Sequence, residues 1–487
     1  LNALHELLGP AYDNSQLGYF SDVRASLRRH AVPLLWTREW IWRPRKAMIP
    51  MTRMQVEGPA VELITVAFAP KASTPGDEQN TLIEVLLVRN AGGVAAEGLD
   101  LTVASYSPAD VAGEDFLEQV RYGDRMRVQP LEEGWTVHSE GANPVFLSPK
   151  FDLGPGEERT FVMVYEFATD GEPIGQGREE VAELGVEKLL DETYQWWVDW
   201  HDLGLEVKTP DRKVDDLMEG LKGTLMVQVG DNGSVNVMSH YTGAWQRDVY
   251  PPVRIFSKFG YRDDAWRLAD YMYAGASVLG GISNRLPSDL DVSGPLPELD
   301  WLSFIPFEAD RLRGEGPSYL PLMHTYAWRY GGGAQRLEER WEYLMHALRG
   351  QTVTPEGMMY FSGDETFRPP FGANIGLGHS YPFEHETWSV YSAFLFVAAC
   401  EQLARAAIHE GLDHPEDIAW LQEQAEFVRE KTDSAYWLDE EQRYSVFIPM
   451  DTGVPDLHCS PDVNTYPLFI GYQQRDEDRA RQNILSC

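Results

Sequence analysis

Two adjacent acids in a glycine-led loop, Asp364 and Glu365 in FSGDETF, have the residue types needed for acid catalysis. A carboxyl group that protonates a leaving oxygen near neutral pH needs a raised pKa. A neighbouring carboxylate or partial burial would each raise that pKa. A solvated acidic turn explains the same pair without any chemistry. The pair therefore permits a general acid but does not by itself establish one.

A second stretch, GAWQRDVYPPVRIF, brings Trp245, Arg247 and Asp248 to the expected start of a helix. An aspartate can accept hydrogen bonds from two sugar hydroxyls, an arginine can donate to another, and a tryptophan can form an apolar wall. An aspartate stabilised by the positive end of the helix, with the arginine as its ion-pair partner, is the structural alternative. Residue chemistry alone leaves both interpretations open.

A third stretch, SYPFEHETWSV, places Glu384, His385 and Glu386 before a helix expected to start near Thr387. The E-H-E spacing suits a metal poorly because alternate side chains diverge, and HExxH is absent, so no metal site is predicted. Glu386 fits a helix-capping role, a substrate contact or a catalytic carboxylate. Trp388 follows as a candidate surface on which a sugar ring could stack.

Glu315 precedes the Gly-Pro pair that opens another expected helix. Capping explains it, and a carboxylate at such a rim could also bind sugar hydroxyls. No G-x-S-x-G, P-loop or dinucleotide motif occurs, and the glycine-rich run near 331–339 lies between two helices rather than after a strand. The sequence therefore predicts no cofactor.

The elements that must position these residues change character along the chain. From about 45 to 170 the hydrophobic period is two: Leu99, Leu101 and Val103 alternate with polar residues, and RTFVMVYEF puts Phe161, Met163, Tyr165 and Phe167 on one face. Short alternating runs with turn signals such as NAGG and GPGEE between them predict an antiparallel β-sandwich.

From about 178 onward the pattern is helical. One long linking helix is expected, followed by helical runs at 211–228, 246–258, 262–278, 317–331, 334–349, 387–410, 414–437 and 463–472, with another starting near 476. Helix pairs with long loops at 281–316 and 351–386 indicate an (α/α)6 toroid, since such loops usually carry function. The predicted domains are a lead-in (1–44), a β-sandwich (45–175), a linking helix (176–205) and a helical-hairpin catalytic domain (206–487). A full toroid has twelve helices and about nine follow the linker, so we expect the natural protein to continue.

Charge and composition exclude several classes of binding partner. A net charge of −35 repels nucleic acid and anionic membranes. No run of 18 apolar residues occurs, so no membrane span is predicted. Three cysteines (Cys400, Cys459 and Cys487) form no CxxC pair and no disulfide framework, and Cys400 is expected in a core. No signal peptide is visible. We expect a soluble protein, and both a secreted and a cytoplasmic location stay open.

Two motifs resemble those of glucoamylase-like enzymes (glycoside hydrolase family 15) and of maltose and trehalose phosphorylases (family 65). AWQRD, 244–248, is similar to the W-x-R-D of glucoamylases, and SGDETF, 362–367, is similar to the G-P-D-E-Y of the phosphorylases. The resemblance implies a β-sandwich followed by an (α/α)6 barrel. It also implies that Arg247 and Asp248 hold a sugar and that Glu365 is the general acid.

The resemblance implies an inverting glycoside hydrolase acting on an oligo- or polysaccharide. Its second carboxylate would activate water, with Asp462 and Glu386 as candidates in this chain. Three alternatives stay open. They are an inverting disaccharide phosphorylase, a noncatalytic carbohydrate-binding protein, and a polysaccharide lyase that uses His240 and Tyr241. The acid surplus argues against the lyase.

Overall fold

The computed structural model describes residues 3–4, 23–56, 60–71, 80–105, 109–121, 124–138, 144–168, 171–230, 232–235, 244–279, 285–286, 316–351, 353–361, 387–450, 452–457, 459, 461–472 and 476–486. The chain divides into two compact units. The first contains residues 1–231 and 236–242, and the second contains residues 232–235 and 243–487.

The first unit is an antiparallel β-sandwich. One eight-stranded sheet has the order Trp36–Trp42, Met51–Val56, Val61–Phe68, Thr81–Asn90, Glu158–Ala168, Asp124–Pro130, Leu117–Arg121 and Val111–Ala112. In the seven-stranded sheet the order is Ala3–Leu4, Val23–Arg29, Ala96–Ala104, Val145–Leu147 and Thr136–His138. Phe151–Leu153 pairs with Ala96–Ala104, and Val32–Pro33 pairs with Val23–Arg29. The predicted sandwich is confirmed.

The core between the two sheets contains the hydrophobic residues of the alternating pattern in the sequence. Phe161, Met163, Tyr165 and Phe167 all belong to the buried hydrophobic cluster, which also takes Leu99, Leu101 and Val103 from the other sheet. At about 25 cal/mol per Å² of buried apolar surface, such clusters supply the main force that holds two sheets together.

The lead-in predicted for residues 1–44 is wrong where the structure describes it. Val23–Arg29 and Trp36–Trp42 are strands of the two sheets, and Trp36–Trp42 pairs along its length with Met51–Val56. Trp36, Trp40 and Trp42 lie on an edge strand of the eight-stranded sheet, where large β-forming side chains are favourable.

The linking helix is interrupted. Gly177–Leu184 and Val186–Leu203 are two helices separated by Gly185, whose φ is +85°. Helix Arg212–Met226 also belongs to the first unit, although a boundary at 206 was expected. Its Glu219 accepts two hydrogen bonds from the guanidinium of Arg45, at 3.1 and 3.0 Å, which fixes the helix to this unit.

The second unit consists of helical hairpins. The pairs in the described residues are Gln246–Phe259 with Arg262–Leu279; Gly316–Gly331 with Ala334–Glu339 and Trp341–Arg349; Val390–Glu410 with Pro415–Ala435; and Pro461–Ile470 with Glu477–Leu485. The first helix of each hairpin contacts the first helix of the next. We call these four first helices the inner row.

Helix Val390–Glu410 is a largely buried member of the inner row. Among the described residues it is the one helix long and apolar enough to cross a membrane, and 78% of its most apolar window lies inside the protein. Cys400 is fully buried there, as predicted, and burial raises the pKa of its thiol well above the usual range. The helix is therefore a core element of the hairpin domain.

Candidate functional site

Trp245, Arg247 and Asp248 stand together at the start of an inner-row helix, as the sequence predicts. Ala244 and Trp245 form a short strand paired with Arg285–Leu286, and helix Gln246–Phe259 follows at once. Trp245 is the extended residue that precedes the helix, and Asp248 lies in its first turn. All three side chains are half-buried. The positive end of the helix stabilises a carboxylate at that position, so Asp248 can act as an ionised acceptor.

Four tyrosines connect the N-terminal halves of the inner-row helices. The Tyr319 hydroxyl contacts that of Tyr391 and lies 2.8 Å from that of Tyr466. The rings of Tyr391 and Tyr466 are 4.5 Å apart, and Tyr250 lies 5.3 Å from Tyr319. Each of these four residues falls within the first six residues of a different inner-row helix. The four helices therefore begin at the same end of the row.

This gathering explains why the predicted residues can share one region. Asp248 lies in the first turn of one inner-row helix, and Trp388 lies just before another. The pKa of Tyr466 is raised well above 10, chiefly by burial, and the nearby charge of Arg247 acts in the opposite direction. Arg247 is thus close to the tyrosine cluster, and the neutral hydroxyls can both donate and accept hydrogen bonds.

Trp388 is the middle residue of the strand Thr387–Ser389, which lies between Tyr360–Phe361 and Phe447–Pro449. Its side chain is half-buried, and its buried indole N–H has no acceptor among the described residues. A half-buried ring with an unused donor suits a sugar, which has apolar faces and hydroxyl acceptors.

The expected helix start near Thr387 is corrected. Residues Thr387–Ser389 pair in a sheet, and the helix begins at Val390. The capping residue is Ser389, whose hydroxyl accepts a hydrogen bond from the Ser392 amide at 3.2 Å. A cap of this kind satisfies a helix-end amide that would otherwise be left without a partner.

The predicted catalytic acids Asp364, Glu365 and Glu386 and the rim acid Glu315 lie outside the described residues, as do His240 and Tyr241. Phe361 and Thr387, which flank the segment that bears the three acids, face each other across adjacent antiparallel strands. The two described residues on either side of this segment are therefore neighbours in one sheet, and the inner-row helix Val390–Glu410 begins three residues after the second of them. Asp462 lies in the first turn of helix Pro461–Ile470.

The sequence did not single out the tyrosine cluster. Tyr319 and Tyr466 are 147 residues apart, and neither belongs to a known motif. A usable signal was present, however, because each expected inner-row helix carries a tyrosine within its first six residues. In the part of the chain that the structure describes, no group of three His, Cys, Asp or Glu residues could hold a metal ion.

A cleft of about 380 Å³ lies elsewhere, between helices Val390–Glu410 and Pro415–Ala435. Glu401 and Arg405 line it on one side, and Gln422 and Glu426 line it on the other. Glu401 and Arg405 belong to the C-terminal half of the inner-row helix, at the opposite end from Trp388. The cleft is therefore not part of the candidate site.

No family model matches this chain, and no curated protein matches it. A bacterial glucoamylase in complex with acarbose aligns over 92% of this chain and 66% of its own, with a TM-score of 0.59 and 12% identity. A protein described as a kojibiose phosphorylase from the human microbiome aligns over 100% of this chain and 72% of its own, with a TM-score of 0.55 and 7% identity.

These likenesses show the fold. Like both of these proteins, the chain combines a β-sandwich with helical hairpins, the architecture that the sequence motifs suggested. It spans slightly less than two thirds of the length of the glucoamylase.

Proposed function

We propose that this chain is a glycoside hydrolase that cleaves a glycosidic bond of an oligo- or polysaccharide with inversion. The observation that carries the proposal is the placement of Trp245, Arg247 and Asp248 at the end of the inner row where its helices begin together. An aromatic wall, a forked donor and a carboxylate acceptor within four residues match a sugar ring better than they match an anion or a lipid.

The substrate contacts follow from these side-chain chemistries. Asp248 accepts hydrogen bonds from two neighbouring hydroxyls, and Arg247 donates to a third. Trp245 and Trp388 cover apolar ring faces, and the unused indole N–H of Trp388 donates to a sugar oxygen. Glu315 is proposed as a further acceptor at the rim.

In the proposed mechanism, Glu365 protonates the leaving glycosidic oxygen while a second carboxylate activates water on the opposite face of the sugar. Inversion requires a separation of about 6.5–9.5 Å between the two carboxyl groups. The carboxylate of Asp364, the residue directly before Glu365, would raise the pKa of Glu365 by like-charge repulsion. Glu386 and Asp462 are the candidates for the base. Glu386 directly precedes strand Thr387–Ser389, which leads into helix Val390–Glu410, and Asp462 lies in the first turn of helix Pro461–Ile470.

The solved structures support the sugar class without identifying the sugar. One is a glucoamylase bound to acarbose, and the other is described as a phosphorylase of a disaccharide. At 12% and 7% identity, they support only a shared scaffold for carbohydrate chemistry.

The test replaces Glu365 with Gln and assays turnover of a panel of aryl glycosides, with acarbose binding measured by calorimetry. Loss of general acid catalysis should lower kcat by about 10²-fold to 10⁴-fold while acarbose still binds. Glu356→Gln, an exposed residue shortly before the same segment, is the matched control and should keep full turnover. Turnover retained in Glu365→Gln would remove Glu365 from the mechanism.

The second candidate is an inverting phosphorylase, favoured by the likeness of SGDETF to the phosphorylase motif and by the alignment over the whole chain. In that reaction phosphate replaces water and no base is required. Product analysis with and without added phosphate separates the two, because only a phosphorylase yields a sugar phosphate. Sugar binding with no turnover under either condition would identify a noncatalytic carbohydrate-binding protein.

A further inference from the structure

Arg254 is a buried cation that has no counter-ion among the residues that the structure describes. It lies in helix Gln246–Phe259 and is 5% exposed. Its Nε and Nη1 atoms have no hydrogen-bond partner among the described residues, and no carboxylate there forms an ion pair with it. An arginine stays charged at all ordinary pH values, and burial of an unpaired charge is strongly unfavourable.

Aromatic rings compensate for part of this burial. The guanidinium carbon lies 3.5 Å from the ring centroid of Phe469, 4.6 Å from that of Tyr326 and 5.6 Å from that of Tyr250. Such stacking is favourable, but ring faces do not satisfy the three N–H groups on Nε and Nη1. Phe469 is itself 40% exposed, so the guanidinium lies one side chain below the surface.

Two more cations, Lys258 and Arg329, lie near Arg254, and Lys258 interacts electrostatically with both arginines. Lys258 and Arg329 are exposed and occupy the last turns of their helices. The pKa of Lys258 is lowered, first by burial and then by the charges of Arg254 and Arg329. Neither has a carboxylate partner among the described residues, although the chain carries 76 acids.

Helix ends explain only part of this cluster. The negative end of a helix dipole favours Lys258 and Arg329, which lie where the last carbonyls are unpaired. Arg254 lies more than a turn before the end of its helix, so the unpaired carbonyls of the last turn do not explain its position. The position of the buried member of the cluster is therefore not explained by a helix end, and its Nε and Nη1 groups have N–H donors that could bind an anion.

We propose that Arg254, Lys258 and Arg329 form a binding site for a phosphate group, either free or carried by a sugar. A tetrahedral oxyanion with close to two negative charges matches a forked guanidinium and two further cations better than a single carboxylate does. Arg254 follows Arg247 by seven residues, about 10 Å along the helix axis, so this site is distinct from the proposed sugar contacts.

Thermal unfolding in three solutions of equal ionic strength tests the proposal: sodium chloride, inorganic phosphate and glucose 6-phosphate. Either phosphate should raise the Tm of the wild-type chain by about 3 °C relative to chloride. The rise should disappear in Arg254→Met and fall by at least half in Lys258→Met. Arg405→Met makes the same change in charge on an exposed side chain of another helix and should keep the full rise.

The pattern of results identifies the ligand. A rise with inorganic phosphate alone assigns the site to free phosphate, and a rise with glucose 6-phosphate alone assigns it to a phosphorylated sugar. No rise with either, or a full rise in Arg254→Met, overturns the proposal. If Arg254→Met does not fold, Lys258→Met decides, since its side chain is exposed; an undiminished rise there overturns the proposal.

Discussion

The hydroxyls of Tyr319 and Tyr466 lie 2.8 Å apart, although 147 residues separate them along the chain. Tyr319 also contacts Tyr391, so one hydroxyl joins three helices of the inner row. A buried hydrogen bond stabilises a protein modestly when it is made, but a buried polar group deprived of its partner is costly. The cluster therefore holds in place the helix ends that bear the proposed sugar contacts.

Tyr466→Phe should lower the free energy of unfolding by about 1 kcal/mol, because it removes one hydrogen bond of Tyr319. Tyr319→Phe should lower it by more, since two hydroxyls lose their shared partner. Tyr436→Phe is the matched control: its buried hydroxyl has no partner among the described residues, so its loss should change stability little. Urea denaturation followed by near-ultraviolet circular dichroism gives all three values. Equal effects in all three would contradict a special role for the cluster.

Trp388→Phe should weaken sugar binding by about five- to tenfold, because the ring face remains while the indole donor, worth about 1 kcal/mol, is lost. Calorimetry with acarbose measures this change. Trp420→Phe alters a tryptophan of helix Pro415–Ala435 that stacks with Arg349, and it should leave binding unchanged. If both variants bind as the wild type does, Trp388 does not contact the sugar through its N–H group.

Local patterns sufficed for much of the fold. The alternation in RTFVMVYEF correctly placed Phe161, Met163, Tyr165 and Phe167 in the sandwich core. Asp100 is one of the polar residues that alternate with Leu99, Leu101 and Val103, yet it is only 1% exposed. Its partner is Arg28, whose Nε lies 2.5 Å away, on a neighbouring strand 72 residues distant. No local pattern could show that partner, because strand pairing is a long-range property.

The candidate site shows the same division. Trp245, Arg247 and Asp248 were found because they are contiguous and stand at a helix start, which residue types can signal. The tyrosine cluster was missed because its members meet only when the inner-row helices pack together. The long linking helix was wrong at one residue, Gly185, since a glycine inside a helical pattern can either be tolerated or end the helix.

Gly185→Ala tests that interruption. The glycine has φ +85°, and a Cβ there would meet nothing within 4 Å. The substitution should therefore cost about 1–3 kcal/mol of stability from backbone strain alone. Gly93→Ala is the control, since it also has open space and lacks a positive φ. Urea denaturation compares them, and equal stability of the two variants would show that the junction relaxes to a continuous helix.

Glu84 makes the stability of the sandwich unit sensitive to pH. It lies fully buried beside Tyr165, whose hydroxyl donates to it at 2.7 Å, and burial raises its pKa to about 7. The unfolded chain has the ordinary value of 4.5, so the folded state holds a proton that the unfolded state releases between pH 4.5 and 7. The free energy of unfolding should therefore fall across that window, by about 3 kcal/mol in total.

The difference between the wild type and Glu84→Gln isolates this contribution, because the amide stays neutral and keeps an acceptor for Tyr165. The variant should gain stability relative to the wild type as pH rises from 4.5 to 7. Glu97→Gln removes an exposed acid of the same unit and should show no such trend. A constant difference across the window would mean that Glu84 ionises normally in the folded state.

His324 gives the hairpin unit the opposite response. Its Nδ1 lies 2.8 Å from the Leu320 carbonyl and its Nε2 lies 3.0 Å from Nη1 of Arg340, so it is buried neutral, donating to the first and accepting from the second. Burial, followed by the Arg340 charge, lowers its pKa from 6.5 to about 3. Below pH 6.5 the unfolded chain takes up a proton that the folded chain excludes. The free energy of unfolding should therefore decrease with falling pH, by about 1.4 kcal/mol per pH unit between 6.5 and 3.

His324→Gln removes this titration while keeping an amide that can serve one of the two partners. Relative to the wild type, the variant should be less stable at pH 7, where a well-packed hydrogen-bonded ring is lost, and should recover as the pH falls toward 4. His409→Gln, an exposed histidine of helix Val390–Glu410, is the control. Glu84 destabilises the folded state only as pH rises, and His324 does so only as pH falls. Urea denaturation of both single variants and of the double variant between pH 4 and 8 should therefore show that the two changes in unfolding free energy add. A wild-type-like pH profile in His324→Gln would show that the imidazole takes up its proton without loss of the fold.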